Sequence, residues 1–143
     1  MTQDITGFGS IVTLIASTTY RNALPLSDFA DDADSLDMPS IEIAQVAMGM
    51  NGNLIAWAHA VAVPVSISLI PNSPSDLAMQ ILAKANMVGT NKNSANDIIT
   101  LNVVYPDGSS VQFTGGKLVN APMGNGISAA GRMKTKTYQF MFE

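Results

Sequence analysis

The chain has 143 residues and a mass of 15.0 kDa, enough for one domain spanning 1–143 and too little for a second of ordinary size. Apolar residues make up 47% and charged residues 13%, about half the ~25% charge of soluble domains, which excludes disorder and points to surfaces covered by neutral protein–protein contact. A net charge of −4 argues against a free-standing nucleic-acid binder, and the absence of cysteine rules out disulfides and thiolate chemistry.

In chain order, Phe8 to Thr19 is rich in β-branched residues and predicts a strand buried on both faces near Leu14. Arg21 to Ser40 loses periodicity, carries Pro25, Pro39 and five aspartates, and reads as a long functional or partner-facing loop. Ile41 to Met48 alternates as a second strand, Asn51-Gly52 supplies a tight hairpin turn, and Leu54 to Ala60 returns. Ala62 to Ile70 alternates again, with Pro64 placing that part at an edge or bulge. One helix follows. Ser73 fits the N-cap, Pro74 the first turn, Asp76 the third position and Gly89 the C-cap. Leu77, Ile81, Leu82, Ala85 and Val88 recur at helical spacing and predict the face laid on a sheet, with Lys84 opposite.

The remainder reads as strand. Ile99 to Tyr105 alternates, Tyr105-Pro106-Asp107-Gly108 turns, Val111 to Phe113 returns, Gly115-Gly116 breaks, and Lys117 to Asn120 is short and extended. Ala121 to Gly126 is a loop, and Arg132 to Glu143 closes the chain with Tyr138, Phe140 and Phe142 on one face. The expected fold is mainly β, a β-sandwich or half-barrel with one flanking α-helix. The opening Met1-Thr2-Gln3-Asp4 has no basic region and Thr13 breaks the early apolar stretch, so neither a leader nor a membrane span is expected.

Charge is polarised along the sequence. Residues 1–76 hold eight acidic groups against Arg21 alone, and residues 77–143 hold six basic groups against Asp97, Asp107 and Glu143. Opposite signs on two faces allow head-to-tail stacking of copies; the alternative is a solvated acidic loop with scattered lysines.

Chemical constellations are sparse. His59 is the sole imidazole and lies among alanines, a setting for a structural histidine rather than a general base. A zinc site would need several Cys or His ligands. Asp31, Asp32, Asp34 and Asp37 miss the EF-hand pattern, because Leu36 and Asp37 fall at its fifth and sixth positions. Gly124 to Ala129 formally matches a dinucleotide fingerprint, but Gly131 interrupts the following helix. No catalytic residue, cofactor or metal is expected, and the chain reads as a non-enzyme.

Four stretches carry a family resemblance: Leu24 to Asp34, Ala47 to Leu54, Val104 to Gly108 and Gly131 to Phe140. They resemble the tail tube proteins of contractile-tailed bacteriophages, which are similar to the Hcp tube proteins of type VI secretion. The resemblance implies a virion tail protein assembled in the host cytoplasm. It implies hexameric rings whose inner strands complete one barrel, stacked into a tube that passes DNA without specific binding, with tail sheath and baseplate proteins as partners. Open sheet edges, a neutral surface and polarised charge are compatible with it. On this reading the Leu24 to Pro39 loop docks axially through Leu26, Asp28, Phe29, Asp31, Asp32 and Asp34. Arg132, Lys134 and Lys136 are the expected partners, and Ile41–Met48 with Leu54–Ile70 line the lumen. Two other readings are a secretion-tube subunit and a monomeric β-sandwich binding module; against the module stands the single tryptophan, Trp57, set in a predicted strand.

Overall fold

The computed structural model describes residues 9–31 and 33–143. Its elements run β1 (Ile11–Ala16), β2 (Leu24–Leu26), β3 (Leu36–Asp37), β4 (Ala44–Met48), β5 (Leu54–Ala58), β6 (Val63–Leu69), α1 (Pro74–Asn86), β7 (Ile99–Val104), β8 (Ser110–Asn120) and β9 (Lys136–Phe142). The fold is mainly β with one helix, as the residue pattern predicts. Seven strands join antiparallel in the order β2-β1-β7-β8-β9-β6-β3, and β4 and β5 form a separate pair. The sheet is open, bounded by the short strands β2 and β3.

One long strand folds this sheet into two leaves. Residues Ser110 to Gly116 of β8 pair with β7, and Lys117 to Asn120 pair with β9. The hinge is Gly115-Gly116. Gly115 has φ +65°, and a Cβ on Gly116 would lie 2.2 Å from the Phe142 ring, so only glycine lets the strand cross that ring. The glycine pair expected to break the chain instead bends one continuous strand. The core lies between the leaves. Val12, Leu14, Leu101 and Val103 come from one leaf, and Val65, Ile67, Leu69, Tyr138, Phe140 and Phe142 from the other. Phe142 stacks near Phe140 and Phe113, with ring centroids 6.0 and 5.4 Å apart.

The helix starts as its sequence predicts: Ser73 caps it by accepting from the Asp76 amide at 3.2 Å. Its phase differs from the predicted one. Leu82 faces inward as expected, but Met79 and Ala83 join it there, while Leu77 and Ile81, expected beside it, are 54% and 59% exposed. The cause is Asp76. Its carboxylate is fully buried, accepts from the Tyr138 hydroxyl at 2.7 Å, and pairs with the Lys136 ammonium at 3.0 Å. That pair pins the first turn and rotates the rest of the helix with it. Gly89 is not the C-cap; Met87 holds that position in an extended conformation.

Other differences are local. The first strand is shorter than Phe8 to Thr19, and Phe8 lies outside the described residues. Ile11 is 57% exposed, so β1 buries one face fully rather than two. The Arg21 to Ser40 loop contains the two short edge strands. Pro64 falls where β3, which pairs only with Ile67 and Ser66, does not reach, so the expected edge position holds there.

Candidate assembly surface

β4 and β5 pair in register from Ala44↔Ala58 to Met48↔Leu54 and, among the described residues, join no other strand. Their turn is closed by the Gly49 amide donating to the Asn53 carbonyl at 2.8 Å and the Gly52 amide to the Gly49 carbonyl at 3.0 Å, with Gly52 at φ +82°. Every residue of both strands is exposed. Opposite partners in an antiparallel pair share a face. One face of this arm therefore carries Val46, Met48, Leu54 and Ala56, and the other carries Ala47, Ile55 and Trp57 beside Gln45. Both faces are apolar. From Glu42 to Asp76 the intervening chain has no Asp, Glu, Lys or Arg. A two-stranded hairpin is marginal alone in water, and strands apolar on both faces are those that proteins bury on both faces.

A second neutral apolar surface lies elsewhere on the chain. Between the C-terminal half of α1 and the far end of β8 is an open groove of about 310 Å³. Ala83 and Met87 form one wall, and Leu118, Val119, Ala121 and Met123 the other. Among the described residues, β8 from Lys117 on is bonded on the β9 side only, so this wall includes a strand edge that none of them pairs.

The predicted axial contact is largely occupied within the subunit. Leu26 is 4% exposed and belongs to the core, so it is no surface anchor. Phe29 is half-buried, bridges to Leu69 and packs against the core. Asp28, at φ +53°, accepts from the Ser75 hydroxyl at 3.4 Å and ties the loop to the helix start. Asp31 meets Arg132 of the same chain at 2.7 Å, and this guanidinium holds the Asp31 carboxyl below the usual carboxylate range. Lys136 is buried against Asp76. Asp34 and Lys134 stay exposed, and Asp32 lies outside the described residues. The opposite charges meet, then, inside one subunit. Nor is Leu54–Ile70 one lining element: Val65, Ile67 and Leu69 are core, and only β4 and β5 project.

The arm was half-visible in the sequence. Its turn and strands were legible; its separation from the sheet was not, since alternation cannot tell a strand packed on the core from one awaiting a neighbour. The uncharged run was the available signal. Trp57, 48% exposed, does not sit in a packed strand, which removes the argument its placement supplied against a binding surface.

Among the described residues, no group of three or more His, Asp or Glu side chains is placed to hold a metal. His59 is exposed just past β5. The Gly124 to Ala129 segment is a loop closed by an Ile127↔Met133 bridge. One buried carboxylate, Asp97, accepts from the Thr18 amide at 2.7 Å, the Thr19 amide at 2.9 Å, the Thr19 hydroxyl and the Asn86 amide. Burial, the largest single influence, raises its pKa, but these bonds together hold it below the ordinary value. Asp97 is a structural tie between β1 and the end of α1. Among the described residues, no helix is long and apolar enough to cross a membrane.

Residues 3–143 match the model of a family described as tail fiber protein gp32, of E217 type. In structure the chain is similar to the anti-feeding prophage cap, a tube terminating cap. The TM-score is 0.55 and the identity 11%, covering 100% of this chain and 89% of that one. Among curated protein sequences, none matches.

Proposed function

Because the chain belongs to the tail fiber protein gp32 family, it is a structural, tail-associated phage protein, and we propose that it works as a tail tube subunit. In this reading, copies form hexameric rings that complete a barrel, stack, and enclose a channel for DNA ejection, flanked by sheath and baseplate proteins in the virion. The whole chain acts as one tube domain without enzymatic activity. The observation that carries the proposal is the β4–β5 arm, apolar on both faces and covered on neither. Such a surface is stable in water only when buried, and open edges at β2, β3 and β8 give lateral neighbours somewhere to pair. Neutral strands also suit a DNA channel, since each cation facing a phosphate would retard passage.

A terminal ring is the second reading, favoured by the likeness to a tube terminating cap. Size-exclusion chromatography with electron microscopy of the purified protein separates the two. Stacked tubes support the tube subunit and single rings the terminal ring. A monomer that persists at high concentration overturns both and leaves a binding module.

A further inference from the structure

We infer that the arm of one copy docks in the groove between α1 and β8 of a second copy, with Trp57 facing the groove. This rests on the proposed self-assembly and adds its lateral contact. Four observations converge on a second copy as occupant. The arm and the groove are two distinct patches of one chain, one protruding and one recessed, which is what a head-to-tail contact that closes into rings requires.

Both patches lack charge: the arm has none in its strands, and the groove's lining is alanine, leucine, valine, methionine and asparagine. A charged or phosphorylated partner would leave its ions desolvated in either place. The groove is bordered by the open edge of β8, Lys117 to Asn120, and the arm's strands of five residues match that length. A strand added there would satisfy the unpaired backbone groups of both.

The arm's two faces are not equivalent towards this site. Trp57 is its largest side chain and brings an N–H that needs an acceptor once buried. Two amide side chains, Asn86 and Asn120, lie among the groove's apolar lining; the Asn86 oxygen already accepts from the Asp97 amide at 2.9 Å, so Asn120, whose amide nitrogen donates to Gln139, supplies the carbonyl oxygen. At about 310 Å³ the open groove leaves room for an indole, which would displace the water there. The opposite face, with Val46, Met48 and Leu54, offers only hydrocarbon and no use for those amides.

The natural chain has no cysteine, so introduced thiols report one contact cleanly. Gln45→Cys, directly across the arm from Trp57 on the same face, and Val119→Cys are made singly and together with Trp57 kept, Ser109→Cys serves as a distant control, and circular dichroism verifies that each variant folds. Under mild oxidation the double variant should give a covalent ladder on a non-reducing gel. Equimolar Gln45→Cys and Val119→Cys should give a band at twice the chain mass, at least tenfold stronger than the Gln45→Cys and Ser109→Cys mixture gives. Val119→Lys should abolish rings while leaving the folded subunit intact. Rings seen by microscopy without the 45–119 cross-link overturn this docking and leave the proposed function standing. A protein that stays monomeric at high concentration overturns both. A cross-link confined to single chains of the double variant, absent from the mixture, also overturns docking between copies.

Discussion

Val65, Ile67 and Leu69 of β6 are fully buried, whereas Val46, Met48 and Leu54 of the arm, side chains of the same kinds, are each at least 60% exposed. The two regions are neighbours in sequence, and no difference in hydrophobicity separates them. What separates them is what lies opposite. β6 has β9 along its whole length and the other leaf across the core; the arm has only itself. The fold is thus held by one set of apolar residues, and a second set lies exposed on the arm, the surface that the proposed assembly would cover. Stability of the subunit and its assembly should respond to different substitutions.

That separation can be attacked from the core outward. Asp76→Asn leaves the Lys136 ammonium, 5% exposed, without a counterion, and should cost about 3–5 kcal/mol. The urea midpoint should fall sharply, and an unchanged midpoint would mean that this pair does not anchor the helix. Gly116→Ala puts a methyl into the Phe142 ring and should cost about 1–3 kcal/mol, read by thermal melting.

Acid comes next. The Asp97 carboxyl is held below its ordinary pKa, so its contribution is complete above the unfolded-state value near ~3.9 and is lost as pH falls through the lower folded-state value. Melting temperature should drop on the acid side of about pH 4, and Asp97→Asn should be less stable at pH 7 with a flatter acid limb. Smaller still is the exposed Asp31–Arg132 pair. Arg132→Gln should cost under ~1 kcal/mol and less in high salt, measured by denaturation at two NaCl concentrations.

Trp57→Ala ends the series, because the arm packs on no core: folding stability should stay within ~0.5 kcal/mol. Assembly, followed by light scattering, should nonetheless be lost. A Trp57→Ala subunit that melts several degrees lower would show that the arm belongs to the fold after all.

Most of the strand content was readable because alternation at Ile99 to Val104 and Tyr138 to Phe142 coincides with real burial, and Ser73-Pro74 marks a helix start on local chemistry alone. Three things were not readable. The helix phase followed Asp76, whose partners Lys136 and Tyr138 lie some sixty residues away, so no local periodicity could report it. The edge strands β2 and β3 are too short to carry a period. Charge pattern says that Asp31 of the acidic loop will seek a cation without saying whose; in the fold it pairs with Arg132 of the same chain at 2.7 Å. Lys136, grouped with the surface cations by sequence, is the most buried of them for the same reason.

The lack of charge from Glu42 to Asp76 also sets how any assembly built on the arm answers to temperature and salt. Contacts made without ion pairs draw chiefly on the entropy of water released from apolar surface, and that driving force fades on cooling. Particles joined through this arm should loosen in the cold and reform on warming, tighten in sulfate, and be nearly indifferent to the moderate sodium chloride that parts ion-paired subunits.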